Sequence, residues 1–170
     1  MTTNTSSAVT NAIPGSGKIN ALWKKLEDVP LGKRLFSAAV CFKAPYFRTV
    51  RPLIHEMRPG YCRVSAPNRR GMHNHLGTYH AIAACNMAEV AGGMMTEATV
   101  PATHRWIPAG MTVEYKAKAT SNVTAIARLD EIPEFGDEKF DLTVPVDVID
   151  SAGDVFVAAQ ISMHISRKKS

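Results

Sequence analysis

Between Thr78 and about Met95 the chain adopts a spacing that suits one kind of element. Ala81, Ala84, Cys85, Ala88, Gly92 and Met95 share one helical face, and all but the last are small. A helix trimmed in this way can lie very close to a sheet. Its β-branched residues past the first turn are Ile82 and Val90, and Gly92-Gly93 is expected to weaken its end. The period then changes. Met111, Val113, Tyr115, Ala117 and Ala119 alternate with polar neighbours, which predicts a strand with one buried and one wetted face. Val123, Ala125, Ala127 and Leu129 continue the pattern. Phe140 to Val148 and Val155 to Ile165 repeat it on either side of a Ser151-Ala152-Gly153 hairpin turn. One small-faced helix followed by consecutive antiparallel strands is an α+β order.

The residues before the helix are less regular. The first sixteen are small and polar, lack the basic start and apolar stretch of a secretory signal, and read as a disordered leader. Ile19, Leu22, Trp23 and Leu26 predict one short amphipathic helix. Leu31, Leu35, Phe36, Ala39 and Val40, after Pro30, predict a second. Tyr46 to Met57 reads as extended, with Pro52 confining it to an edge or bulge, and Pro59-Gly60 as a turn. Residues 61–66 alternate weakly, and 67–71 form a polar loop. The chain of 170 residues, 45% apolar, suits one sizeable core, so residues 17–170 are expected to form a single domain, with N-terminal helices in 17–44 and the main body in 45–166.

Composition excludes several classes. The longest apolar runs fall short of the roughly 20 residues of a membrane span. Cys41, Cys62 and Cys85 are odd in number and widely spaced, which fits neither a disulfide framework nor a zinc clip and points to a reducing, cytoplasmic setting. Charge separates along the chain: residues 1–75 sum to +9, residues 76–166 to −7, and Arg167 to Lys169 add +3. A basic half suits nucleic acid, an anionic membrane or a phosphorylated small molecule. No nucleic-acid motif accompanies the charge and no segment spans a bilayer, so neither nucleic acid nor membrane is the partner expected, and a solvated surface is the plain reading of any single Lys or Arg.

The chemistry concentrates in Asn74-His75-Leu76-Gly77-Thr78-Tyr79-His80-Ala81, with Glu89 eight residues further on. A glycine-containing loop runs into a helix start, where free backbone N–H groups can hold developing negative charge in the manner of an oxyanion site. Glu89 stands among Ala88, Ala91 and Gly92, where partial burial would make it a poised base or nucleophile. Pairing with Arg105 or Lys116 would instead make it a structural acid. Asn74 also suits a capping role, and His73, His75 and His80 form no confident metal-ligand set. Ala81 and Glu89 lie about 12 Å apart along the helix, so one carbonyl cannot touch both. If both serve one reaction, the second group comes from another copy whose helix runs antiparallel alongside, and the site is shared in a homodimer or a dimer of dimers.

At these residues the chain resembles the hotdog-fold thioesterases of the phenylacetyl-CoA-pathway type. Their signature, N-x-x-G-x-x-H-G-G, precedes L-A-D on a central helix. Asn74, Gly77 and His80 stand at its Asn, Gly and His, and Met87-Ala88-Glu89 stands where that family has Leu-Ala-Asp. The chain is also similar to a related hotdog family without an assigned function, in which G-T-x-H-A and a helical Glu recur. Two departures are plain: Ala81-Ile82 replaces the paired glycines, and Glu replaces Asp. The resemblance implies a hotdog fold, an antiparallel sheet wrapped around one long helix, and hydrolysis of an acyl-CoA thioester without metal or redox cofactor. Glu89 would activate water or attack, the Ala81 N–H would polarise the thioester oxygen, Asn74, from the loop that includes the site residue Gly77, would orient water or the substrate carbonyl, and His80 would brace that loop or assist near the leaving thiol. Arg69, Arg70, Thr78, Ile82 and Gly93 are the residues expected to contact substrate, the two arginines through CoA phosphates, with the Arg167 to Lys169 tail a second candidate for the phosphates. A non-catalytic acyl-CoA sensor and an acyl hydratase or dehydratase are the alternatives that the same fold permits.

Overall fold

The computed structural model describes residues 13–169. Two helices open it, α1 (Lys18–Leu26) and α2 (Gly32–Lys43). Trp23 of α1 and Phe36 of α2 are fully buried and meet edge to face at 5.0 Å, which ties the N-terminal helices into the main core. Leu31 and Leu35, expected beside Phe36 on the inward face, are instead exposed; Phe36, Ser37 and Cys41 point inward. Residues 1–12 of the expected leader lie outside the described residues. Its last two residues are not free: Gly15 N–H donates to the Thr99 carbonyl at 3.3 Å, and Ser16 Oγ accepts from Ala102 N–H at 3.0 Å.

The expected extended stretch from Tyr46 divides in two. Pro45–Thr49 closes into a 3₁₀ turn, and Pro52 directly precedes β1 (Leu53–Arg58), an edge strand with a bulge between Ile54 and Glu56. Pro59-Gly60 turns the chain into β2 (Tyr61–Ala66), with Gly60 at φ 75°. After α3 (Ala81–Thr99) come β3 (His104–Tyr115), β4 (Val123–Arg128), β5 (Phe140–Ile149) and β6 (Val155–Arg167). The six strands form one antiparallel sheet in the order β1-β2-β4-β5-β6-β3.

Helix α3 packs against all six strands. Its small face permits this. A Cβ on Gly92 would lie 2.8 Å from Ile161 Cδ1 and within 3.6 Å of Val144 and Val146, so the sheet rests on the backbone there. The Gly92-Gly93 pair, expected to weaken the helix end, lies well inside it. Thr96 and Thr99 hydroxyls bond back to the Gly92 and Met95 carbonyls, and Gly60 N–H donates to Thr99 Oγ1 at 2.9 Å, anchoring the last turn on the β1–β2 hairpin. β4, β5 and β6 keep the expected alternation, with Val123, Ala125, Val146, Val148, Ile161 and Ile165 inward. β3 does not. It starts at His104, ends at Tyr115, and leaves Ile107, Met111 and Tyr115 exposed, because it is an edge strand whose outer side has no partner among the described residues.

Gly92→Val tests this packing. The added side chain has no room against Ile161, and the fold is expected to lose about 1–3 kcal/mol in chemical denaturation.

Candidate active site

The motif loop is a closed structure in its own right. His73 and Tyr79 form an isolated antiparallel bridge, and Asn74 N–H donates to the Thr78 carbonyl at 2.9 Å. Asn74 Oδ1 accepts from Leu76 N–H at 3.0 Å and Thr78 N–H at 3.2 Å, while its Nδ2 lies 2.9 Å from Thr78 Oγ1. The Asn74 amide therefore builds the loop, in the Asx manner. Gly77 sits at φ 75° with open space around its Cβ position, so the backbone conformation selects glycine there. His73 is held by Asn68 at 2.8 Å, a loop hydrogen bond.

The loop delivers the chain to α3 three residues later than Thr78, because Thr78 and Tyr79 are engaged in the loop; Tyr79 N–H donates to the Ala119 carbonyl at 2.8 Å. His80 is the N-cap. Its Nδ1 accepts from Ile82 N–H at 3.1 Å, so in the neutral ring the proton resides on Nε2. His80 thus braces the helix start. Ala81, the first helical residue, has no earlier turn to donate to, and its N–H meets no acceptor among the described residues.

Glu89 is exposed, contrary to the partial burial expected of it, and makes no ion pair among the described residues. Arg105 turns to Ser166 and Lys116 to Glu114, which removes both structural partners the sequence offered. Glu89 follows Ile82 by seven residues, nearly two full turns, and so shares its side of α3. Ile82 is 56% exposed. Cys85 lies between them and touches the Tyr115 hydroxyl at 3.5 Å, while Trp106 Nε1 donates to Glu97 at 2.8 Å. These two contacts lay β3 alongside α3 in the opposite direction. The open side of α3 and the unpaired β3 strand are adjacent, and Gly93 lies beneath Trp106.

One feature of the site was not anticipated from the sequence. Arg69 donates through Nη2 to the Thr49 carbonyl, and Asn86 donates to Thr49 Oγ1 at 3.0 Å, so the 3₁₀ turn is clamped between the motif loop and α3. Arg69 is already engaged, while Arg70 is exposed. Arg69 Nε, Tyr79 OH and Asn86 Oδ1 are buried with no partner of their own among the described residues. The signal was an Asn inside an otherwise small and apolar helix face, and a Tyr inside the motif. Burial pushes the Tyr79 phenol up to about 12, with Arg69 opposing part of the rise.

An α+β domain with a small-faced helix on a six-stranded antiparallel sheet, and an N-capped helix start beside an open edge strand, fits the hotdog fold, and solved thioesterases share it as a fold. The chain belongs to the family described as a domain of unknown function, DUF4442, whose model matches residues 32–165. A solved structural-genomics target, APC5556, is 43% identical with a TM-score of 0.78, covering 88% of this chain and 99% of its own. PA5026 of Pseudomonas aeruginosa, described as of unknown function, is 22% identical with a TM-score of 0.71, over 82% of this chain and 97% of its own. Thioesterase HI1161 of Haemophilus influenzae is 12% identical with a TM-score of 0.65, over 76% and 87%. The last two likenesses are of fold. No curated protein matches the chain.

Tyr79 makes an alkaline prediction. Its phenol is harder to ionise in the fold than in the unfolded chain, so the stability it confers is complete below its ordinary range and is lost as pH rises from about 10 to about 12. The expected loss is roughly 2–3 kcal/mol across that window. Tyr79→Phe, which deletes an unpartnered buried hydroxyl, is expected to leave stability at pH 7 equal or slightly raised, and to flatten the alkaline limb in denaturant titrations.

Proposed function

We propose that this protein hydrolyses an acyl-CoA thioester at a site shared by two copies of the chain. The observation that carries the reading is Glu89: an open carboxylate on the same helix as an N-terminal amide, beside the outer side of an edge strand, all three without a partner among the described residues. Pairing of two such faces about a two-fold axis near Cys85 sets residue 81 of one helix opposite residue 89 of the other. Ile82, Met111 and Tyr115 supply exposed apolar surface for that contact. The same contact would remove Glu89 from bulk water, the condition under which a carboxylate becomes an effective base.

In the reaction so arranged, the Ala81 N–H of one chain receives the thioester oxygen, and Glu89 of the other takes a proton from water as the water oxygen bonds to the carbonyl carbon. The tetrahedral intermediate collapses with cleavage of the C–S bond, and the proton passes to the departing thiolate. A direct attack by Glu89, followed by hydrolysis of the resulting anhydride, uses the same parts. Asn74 and Gly77 hold the loop in shape and His80 caps the helix. Thr78 and Ile82 border the approach, Gly93, expected beside them, is instead buried beneath Trp106, and Arg70, with Arg69 behind it, suits a CoA phosphate. No metal or redox group is required.

Two variants test this by thiol release from short, long and aromatic acyl-CoAs. Glu89→Gln is expected to lower kcat by about 10²–10⁴. Ala81→Pro removes the proposed donor at the one helical position where proline is tolerated, and His80, at φ −68° and ψ 132°, already has the conformation that a following proline demands. It is expected to keep the fold and lose about 10²–10³ in kcat. Full turnover by either variant, or by a chain that sediments as a monomer, would refute the mechanism. Tight binding of CoA esters without turnover by the native chain would favour a sensor.

A further inference from the structure

The strongest surface feature not absorbed by the proposed site is the outer side of α2. Leu31, Leu35, Ala38 and Phe42 recur at spacings of four, three and four, which places them within an arc of about 60°. That arc is the side turned away from the core. Leu31 is 72% exposed, Leu35 61% and Phe42 90%, and Tyr46, at the start of the next turn, is 66% exposed. An ordinary surface helix shows its polar side to water. This one shows its apolar stripe.

Beside the stripe lies a cavity of about 460 Å³ lined by Arg34, Arg48 and Arg51 together with Cys41, Phe42 and Leu53. None of the three arginines has a carboxylate within ion-pair distance among the described residues. From Val29 to His55 the chain carries five Lys or Arg and no acid, with Glu27 and Asp28 at its near border. Leu31 and Arg51 are also the two non-glycine residues with positive φ among the described residues, at 62° and 51°. Such conformations are unfavourable for both side chains. Both are kept where they project a leucine into the stripe and an arginine into the cavity.

We propose that this face docks the protein on an anionic phospholipid surface, with Leu31, Leu35 and Phe42 entering the acyl boundary and the three arginines receiving lipid phosphates. The combination of apolar stripe and flanking cations is the requirement for an interfacial helix, and it needs no spanning segment. The expectation of no membrane partner, which rested on the absence of such a segment, does not bear on it. Charge selects this occupant over a second copy. A two-fold contact through the same face would bring Arg34, Arg48 and Arg51 onto their own copies, and no residue lining the cavity is acidic to meet them. The face also lies by β1, at the opposite edge of the sheet from β3, so it stays free when two chains join through β3. The proposal is independent of the hydrolysis reading.

Flotation with phosphatidylcholine vesicles, alone or mixed with phosphatidylglycerol, tests it. The native chain is expected to float with the anionic vesicles only, and less so as salt is raised. Leu35→Ser with Phe42→Ser is expected to weaken binding tenfold or more, by roughly the loss of two inserted apolar side chains. Arg34→Gln with Arg48→Gln and Arg51→Gln is expected to weaken it roughly a hundredfold. Replacing Lys116, Lys118 and Lys139 by Gln removes equal charge elsewhere and is expected to change it little. Equal flotation on both vesicle types, or none, overturns the proposal. So does an equal effect of the two charge sets, or a Leu35/Phe42 variant that loses oligomeric mass while still binding vesicles, since the face would then be a contact between copies.

Discussion

The close approach of α3 to the sheet is the constraint on which the rest depends. At Gly92 the sheet side chains of Ile161, Val144 and Val146 meet helix backbone, and a Cβ there would have to displace Ile161 Cδ1. Close packing of this kind is rigid because interiors are filled to crystal-like density, and removing or adding a single methyl group is felt. It fixes the depth and direction of α3, and with them the place where its first turn opens and where Glu89 emerges. The site lies on a rigid element, which is what precise positioning of reacting groups requires.

The same packing leaves a deficit. Six strands cover the buried faces of α3, but Ile82 and Glu89 remain on an open side next to β3, whose outer edge has no pairing partner among the described residues. Unpaired strand edges are commonly blunted by charge, proline or cover. Here Pro108 introduces a bulge between itself and Gly110, while Met111 and Tyr115 stay exposed. The proposed two-fold assembly removes this deficit and completes the proposed chemistry with one contact. At the other edge of the sheet, α2 covers β1 with its inner side and turns an apolar, cationic side outward. The two edges thus suit different partners.

Much of the fold was legible in the sequence because periodicity reports which face of an element is buried. The small-residue spacing found α3, and strict alternation found β4, β5 and β6. The departures have identifiable causes. The helix starts at Ala81 because Asn74 and Thr78 close a loop upon themselves, and it runs past Gly92-Gly93 because the sheet requires glycine there and Thr96 and Thr99 tie the last turns. Alternation in β3 did not mean burial, since an edge strand can alternate for a face that a partner has yet to cover. In the motif, the glycine-containing loop running into a helix start could be read directly, but the cap could not: the sequence offered Asn74 for it, and the fold uses His80. The clamp of Arg69 and Asn86 on Thr49 could not, because those residues are far apart along the chain and ordinary in type.

By itself, then, the sequence determined the elements: which stretches coil, which extend, and where a loop must turn into a helix. Those outcomes follow from local sterics and from the period of apolar residues, both written in neighbouring positions. Only the tertiary structure decided which sides of those elements remain open. That Glu89 stands free of Arg105 and Lys116, and that Leu31, Leu35 and Phe42 face outward, depends on how distant segments pack in three dimensions. An amphipathic period names two faces of a helix, but the neighbour that arrives to cover one of them is chosen by the whole fold.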